Sequence, residues 1–320
     1  GTDDTINLPN GTIDGSMMIG SGSGSGIEPV VINKSVKILG QGKDNSVIRN
    51  VGLGLGVSDT SHILKDFALK GEVNIWSSQS ESLTIDSLEV DFEGGEGYFG
   101  VSNPHNLTIK NSYIHNINNS ETPAMLTVSV DNTEDWNDNQ ATVIITDSTF
   151  SDSNSNSGIY MGMGGSSVAT LNAAIKNNTF SNMESNNSSM IAELVVVAGG
   201  SSNTLNYTTI NNTFKDITGQ LNGSGNPTAM AIAEASFENG KINHTAQNDV
   251  YSSGNGTAVN YYQYLGESSV ESDLTTTSLG GNLSSDNSFG SRLNHATDQN
   301  NVTTLASFLG MLSDNGGPVP

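Results

Sequence analysis

The sequence predicts an all-β fold, a right-handed parallel β-helix (pectin-lyase-like) of about ten to eleven coils. Three observations carry this expectation. The first is a short phrase that recurs along the chain. Residues 107–117 read Leu107-Thr108-Ile109-Lys110-Asn111-Ser112-Tyr113-Ile114-His115-Asn116-Ile117, and the pattern returns as VIITDSTFSDS at 143–153, AAIKNNTFSNM at 173–183 and TTINNTFKDI at 208–217. Earlier copies are HILKDFALKG (62–71) and LTIDSLEVDF (83–92), and KINHTAQNDV (241–250) is a degraded later one. The second observation is spacing. With the isoleucine as marker, Ile38, Ile63, Ile85, Ile109, Ile145, Ile175, Ile210 and Ile242 follow one another at steps of 25, 22, 24, 36, 30, 35 and 32 residues. The shortest step suits a coil of three short strands and three turns, and the longer ones suit the same coil with one turn swollen into a loop. The third is periodicity: the apolar residues are β-branched or aromatic and alternate with period 2, without a helical 3.6 period. Stacked coils about 4.8 Å apart put the isoleucine column inside and the Asn/Asp corners in a ladder whose amides satisfy one another.

The whole chain, 1–320, reads as one elongated domain. Residues 1–50 are expected to form the N-terminal cap and first coils, 51–250 the central coils with their loops, and 251–320 the C-terminal coils with a truncated cap. Thr5 to Ile13 alternates as a strand and breaks at Asn10-Gly11, a turn dipeptide. Ser21–Gly26 is a Ser/Gly run expected to be a loop. In VVINKSVKILGQGKDNSVI (30–48) the GQGKDN segment has neither a Lys-Ser/Thr ending nor a helix after it, so it reads as a β-turn rather than a phosphate loop. Residues 93–100 (EGGEGYFG) are expected to be a Gly-rich turn bearing Tyr98 and Phe99. Residues 131–140 (DNTEDWNDNQ) form the most acidic loop, and 219–228 a polar turn. Val259–Leu265 is an aromatic strand, and 302–312 is the place for a short helix or terminal cap.

Composition narrows the partners. Hydrophobic residues make up 34% of 320, low for a globule yet enough for a narrow solenoid core, and the recurring Ile/Phe columns argue against disorder. The 11 basic residues face 33 acidic ones, a net charge of −22, which excludes nucleic acid and anionic membranes as partners. No apolar stretch is long enough to insert in a membrane, and no signal peptide is present. There is no cysteine, hence no disulfide and no thiolate metal site. The segment is expected to be cut from a longer exported precursor of a bacterium or archaeon.

At the C-terminus Leu279-Gly280-Gly281-Asn282-Leu283 with Asp286, followed by Leu309-Gly310-Met311-Leu312-Ser313-Asp314-Asn315-Gly316-Gly317-Pro318, resembles the choice-of-anchor Q family, whose members end a parallel β-helix in GxNL…SD and LGpLxDNGGPT segments. The opening DTINLPNGT and VKILGQGKDNSVI are similar to that family's first coils. The chain departs from it at the last step, reading Val319-Pro320 where the family continues Thr-x-Thr-His-Ala-Leu. The resemblance implies exported proteins held on a cell surface by varied C-terminal anchors, and no defined reaction.

Chemistry is sparse. Uronate lyases need a Lys or Arg base, and the only arginines are Arg49 and Arg292. Lys65 and Lys110 fall at equivalent corner positions with Asp86 expected beside Asn111, a ladder of structural residues. Polygalacturonase-type sites need a Gly-His-Gly, which is absent, and His62, His105, His115, His244 and His295 have no such setting. Asp147, Asp152 and Asp216 are candidate paired carboxylates, though Asp at a β-helix corner is ordinarily a turn former. Sugar-stacking candidates are Trp76, Tyr98, Trp136, Tyr160 and the Tyr261/Tyr262/Tyr264 cluster, with Tyr261 and Tyr262 expected to pack inward and Trp136 outward. Asp131, Asp135 and Asp138 are candidate calcium ligands, since hard cations take oxygen donors, although the spacing is not that of an EF-hand. No cofactor is required beyond such calcium. Asn106, Asn177, Asn206, Asn211, Asn243 and Asn301 head Asn-x-Ser/Thr triplets, meaningful where the host glycosylates its surface proteins.

The resulting expectation is a non-enzymatic, extracellular, surface-anchored adhesin or carbohydrate-binding stalk, its partner a surface glycan or another cell's surface. The competing readings are a polysaccharide lyase or glycoside hydrolase with an unrecognised carboxylate pair, and a passive spacer.

Overall fold

The structure is a computed structural model that describes residues 4–15, 30–55, 60–95, 97–118, 124–131, 140–154, 157–164, 169–185, 191–200, 202–253 and 257–309. It is a parallel β-helix with three faces, every paired strand running parallel to its neighbour one coil away. Face 1 is a ten-stranded sheet from Asp4–Asn7 to Leu274–Gly280. Face 2 takes the strand after the first corner, such as Glu89–Asp91, Tyr113–Ile117, Thr149–Asn154 and Thr179–Glu184. Face 3 closes each coil, with Gly97–Ser102, Ala124–Asp131, Ser157–Gly164, Ile191–Gly199, Ala229–Phe237 and Val259–Leu265. In Ser46–Leu55 and Ala68–Ser78 faces 2 and 3 are one strand, bent where Asn50 and Gly71 take positive φ.

The corner between faces 1 and 2 explains the repeat. Asp66, Ser87, Asn111, Asp147, Asn177, Asn211 and Asn248 all sit at φ between 51° and 59°, a left-handed conformation that Asn and Asp tolerate best among side-chain-bearing residues. The next residue turns inward and forms a buried ladder. Backbone N–H groups donate from Ser112 to Ser148 Oγ (3.1 Å), from Ser148 to Asn178 Oδ1 (3.0 Å), from Asn178 to Asn212 Oδ1 (3.0 Å) and from Asn212 to Asp249 Oδ1 (2.8 Å). Asp249 N–H in turn donates to Asn282 Oδ1, and Asn282 donates to Asp298 Oδ1, where the ladder ends. Each corner group is therefore satisfied by the coil above it, as buried polar groups must be.

The core columns follow the corner, which corrects the isoleucine marker at three places. The inward residue two before each corner is Ile38, Leu64, Ile85, Ile109, Ile145, Ile175, Thr209 and then Ala246. Ile63 and Ile210 lie one residue out of that column and face outward, half-buried, and Ile242 is buried in the column of Leu171 and Leu205 instead. On the face 2 side Phe150, Phe180, Phe214 and Tyr251 stack at centroid distances of 5.2, 4.8 and 5.1 Å. Phe289, in the segment after the last coil, packs on Tyr251 and Tyr261 and closes that end.

Further expectations meet the structure as follows. The GQGKDN segment is a turn, with Gly42 at φ 107° and Asn45 N–H donating to Gly42 O. Gly97–Ser102 is a face 3 strand rather than part of a turn, with Tyr98 outward and Phe99 buried. Asp86 is in register with Lys65 and Lys110, 3.4 Å from each ammonium, and not with Asn111 one residue on, yet its Oδ1 accepts from Asn111 Nδ2 at 3.1 Å. Leu305–Phe308 is a short helix. The Ser21–Gly26 run and most of the terminal Leu309–Pro318 motif lie outside the described residues.

Candidate functional site

Strand alternation sends every second face 3 residue outward, and register lines those residues up across coils. One such column runs Gly54, Trp76, Gly100, Thr127, Tyr160, Val195, Ala233, Tyr262. A second runs beside it through Ser78, Ser102, Ser129, Gly162, Val197, Ala235 and Tyr264. The aromatic rings lie down on the sheet because glycines make room. A Cβ on Gly54 would meet the Trp76 ring at 2.5 Å, and one on Gly162 would meet the Tyr160 ring at 2.6 Å. The Tyr98 ring lies over Gly100 in the same way, which brings it into the column between Trp76 and Thr127. The Trp76 and Tyr98 rings thus lie over one column and the Tyr160 ring over the column beside it, all three half-buried, and burial raises the Tyr98 and Tyr160 hydroxyl pKa values, with the Asp131 charge adding to the shift at Tyr160. Thr127 Oγ1, between them, has no hydrogen-bond partner. Towards the C-terminal end the columns run into a shallow apolar depression of about 330 Å³ lined by Tyr160, Val195, Val197, Ala233, Phe237 and Tyr264.

Rings lying on a polar, open sheet surface offer a face to the flat apolar side of a sugar, while Asn74, Ser78, Ser102 and Ser129 supply neighbouring polar groups. Of the sequence-derived candidates, the structure brings together Trp76, Tyr98 and Tyr160. Tyr261 is buried as expected, but Tyr262 is half-exposed and belongs to the outward column, because alternation along Val259–Leu265 turns adjacent residues to opposite sides. Trp136, Asp135 and Asp138 lie outside the described residues. Asp131, exposed at the end of Ala124–Asp131, has its carboxylate over Gly164.

A second cluster, which sequence reading did not single out, lies on face 2. Glu89 Oε1 is 3.3 Å from His115 Nε2, Asp91 Oδ1 is 3.9 Å from His115 Nδ1, and all three offer donor atoms within 4.8 Å of one another. The Tyr113 ring stacks on His115 at 3.8 Å, and its hydroxyl meets Ser151 and Asp152. Carboxylates and an imidazole are metal ligands by type, but Lys70 already lies 3.2 Å from Glu89 and 4.0 Å from Asp91. The hydrogen bond from His115, with Lys70 beside it, holds the Glu89 carboxyl down at about 2 despite burial. A general acid needs the opposite shift. Among the described residues, the carboxyls shifted upward are Glu193, Glu234 and Asp249, all sealed in the core.

Asp147 stands apart from Asp152 and Asp216, which occupy equivalent places of face 2 two coils apart with Asn182 between them. Each holds a positive φ, Asp147 at the corner of faces 1 and 2, the other two at bends within face 2. Asp147 accepts from Asn177, Asp152 from Asn182 and Ser151, and Asp216 pairs with Lys215 at 2.8 Å. Of the asparagine triplets, Asn106, Asn177, Asn211, Asn243 and Asn301 are exposed and Asn206 half-exposed. Asn206 and Asn243 also belong to an outward ladder on face 1, in which Asn206 Nδ2 donates to Asn172 (3.0 Å), Asn243 Nδ2 to Asn206 (2.8 Å) and Thr275 to Asn243 (2.7 Å).

No helix among the described residues is long and apolar enough to cross a membrane. No protein-family model matches the chain, and no curated protein matches it.

Proposed function

We propose that this domain is an extracellular, surface-held binding module that takes a glycan along face 3, as part of a larger anchored protein. The observation that carries the reading is the group of Trp76, Tyr98 and Tyr160 on two adjacent columns of face 3, each ring laid over a glycine whose place no larger residue could take without displacing the ring. Aromatic platforms of this kind bind through their open faces and gain from apolar contact with sugar C–H groups. The charge of −22 and the absence of cysteine support an exported setting, and the C-terminal resemblance supports surface anchoring. The Glu89 cluster of face 2 supports a non-catalytic reading, because Glu89 is held by Lys70 at 3.2 Å and by the hydrogen bond with His115.

Affinity electrophoresis of the whole chain against a panel of polysaccharides, with assay for released sugars, tests the proposal. Binding without product, weakened at least about tenfold by Trp76→Ala or Tyr160→Ala, is the expected result; a stacking aromatic at a binding centre is worth about 2 kcal/mol or more. Release of reducing ends or unsaturated uronates would replace the reading with the enzymatic one. Retention unaffected by either substitution would move the site off face 3.

A further inference from the structure

Resting on the glycan reading of face 3, we infer that the ligand is an uncharged polysaccharide, laid parallel to the solenoid axis with about one sugar per coil. Charge is the first argument. Every one of the 11 basic residues lies outside the face 3 stretches running from Val51 to Leu265. The cations sit on the other faces or in turns, and several are already engaged: Lys65 and Lys110 with Asp86, Lys70 with Glu89, Arg49 with Glu93. A uronate or sulfate group between Trp76 and Tyr160 would find no counter-charge, inside the field of a molecule carrying −22; at the C-terminal end Arg292 reaches Gln263, but it is paired with Glu271 at 2.8 Å. The outward groups there are aromatic rings, hydroxyls, the Asn74 amide, glycines and small apolar side chains, bordered by the exposed carboxylates of Glu72 and Asp131, which suit hydroxylated, uncharged rings and disfavour anions.

Direction is the second argument. The platforms are aligned across coils rather than along a strand. Trp76 and Tyr160 are three coil steps apart, about 14 Å, with the Tyr98 ring between them. Tyr262 lies three further steps along the same column. A chain crossing face 3 at right angles would meet one ring, whereas a chain along the axis meets all of them. The coil rise is close to the length of one sugar unit in an extended polymer, so successive rings of the ligand fall over successive coils.

The test is calorimetry with the whole chain at low salt. Its probes are neutral hydroxyethyl cellulose and galactomannan, anionic polygalacturonate and alginate, and a ladder of neutral oligosaccharides built from whichever neutral polymer binds. The expected result is binding of a neutral polymer only, with affinity rising at least about tenfold between disaccharide and tetrasaccharide as both Trp76 and Tyr160 are reached. Tyr160→Ala should then abolish the gain with length. Binding confined to the anionic polymers would overturn this inference while leaving the glycan reading standing. Saturation at the disaccharide would overturn the axial placement. Failure to bind any of the probes, neutral or anionic, would overturn the inference and the glycan reading together.

Discussion

Two stretches of the same core solve burial in opposite ways. From Ile85 to Ile175 the interior is Ile, Leu, Val and Phe in columns that repeat from coil to coil, and its cohesion comes from stacked rings and removed apolar surface. From Thr209 onward ionisable and hydroxyl groups are buried among the remaining apolar side chains, such as Phe214, Ile232 and Ile242. Glu234, fully buried, accepts from the hydroxyls of Tyr207 and Tyr261. His244 stacks on Tyr207 at 4.2 Å, shares a 2.8 Å hydrogen bond with Thr209, and leaves Nδ1 3.6 Å from Glu234 without a hydrogen bond. Asp249 accepts from Asn212 and from Tyr251. Repetition asks little of each residue in the first stretch; in the second, every group depends on a particular partner. A solenoid can hold such a stretch because each coil answers only to its neighbours.

The largest expected effect breaks the apolar side. Phe180→Ala removes the ring between Phe150 and Phe214 and should cost about 3–5 kcal/mol, read by chemical denaturation. The next sharpens the polar side through pH. Burial pushes the Asp249 carboxyl up from 3.8 to about 6, so the folded chain favours its protonated form; that stability is complete below pH 3.8 and is lost as pH rises through 6. Burial holds His244 down from 6.5 to about 3, so its contribution is complete above pH 6.5 and is lost as pH falls towards 3. The two slopes oppose each other between about pH 4 and 6. Asp249→Asn, which puts the ladder's usual residue at that place, should remove one slope. It should stabilise the chain at pH 7 by about 3 kcal/mol, at 1.36 kcal/mol per pH unit, and make the change of stability between about pH 4 and 6 less negative than in the parent. A flat difference between variant and parent from pH 3 to 7 would show that Asp249 does not titrate on unfolding. Tyr261→Phe should cost about 2 kcal/mol by stripping Glu234 Oε2 of its donor, with the ring still in place. Asn211→Ala, at a corner with φ 56°, should cost about 1 kcal/mol in the same measurement.

Most of the solenoid was legible because its corner is written in residue types that few other conformations favour. Asn111-Ser112, Asp147-Ser148 and Asn177-Asn178 announce a left-handed residue followed by an inward polar one. The column was misread where isoleucine rather than the corner served as marker. Counting back two residues from Asp66, Asn211 and Asn248 gives Leu64, Thr209 and Ala246 directly, but Thr209 is polar and only its partner His244 explains why it can face inward. Trp76, Tyr98 and Tyr160 were visible as candidates, whereas their alignment was not, since turns of different length separate them in the chain. Gly54, Gly100 and Gly162 were the available signal: a glycine inside a strand marks a close approach. The pairing of Glu89 with His115 joins different coils, and nothing local in the sequence ties the two together.

The turns divide the labour of the fold unevenly. From Lys65 onward each of the eight corners between faces 1 and 2 has two residues, while the segments flanking face 3 vary from none to ten. One edge of the rod is therefore a ruler, where an insertion would break the buried ladder between that coil and its two neighbours. The other two edges are margins, where residues can be added or lost without disturbing the count. Face 3 alone lies between both margins. A lineage could rebuild the walls around that surface many times while the ruler kept its rungs in place, so the face with the aromatic rings is also the one whose borders are freest to change.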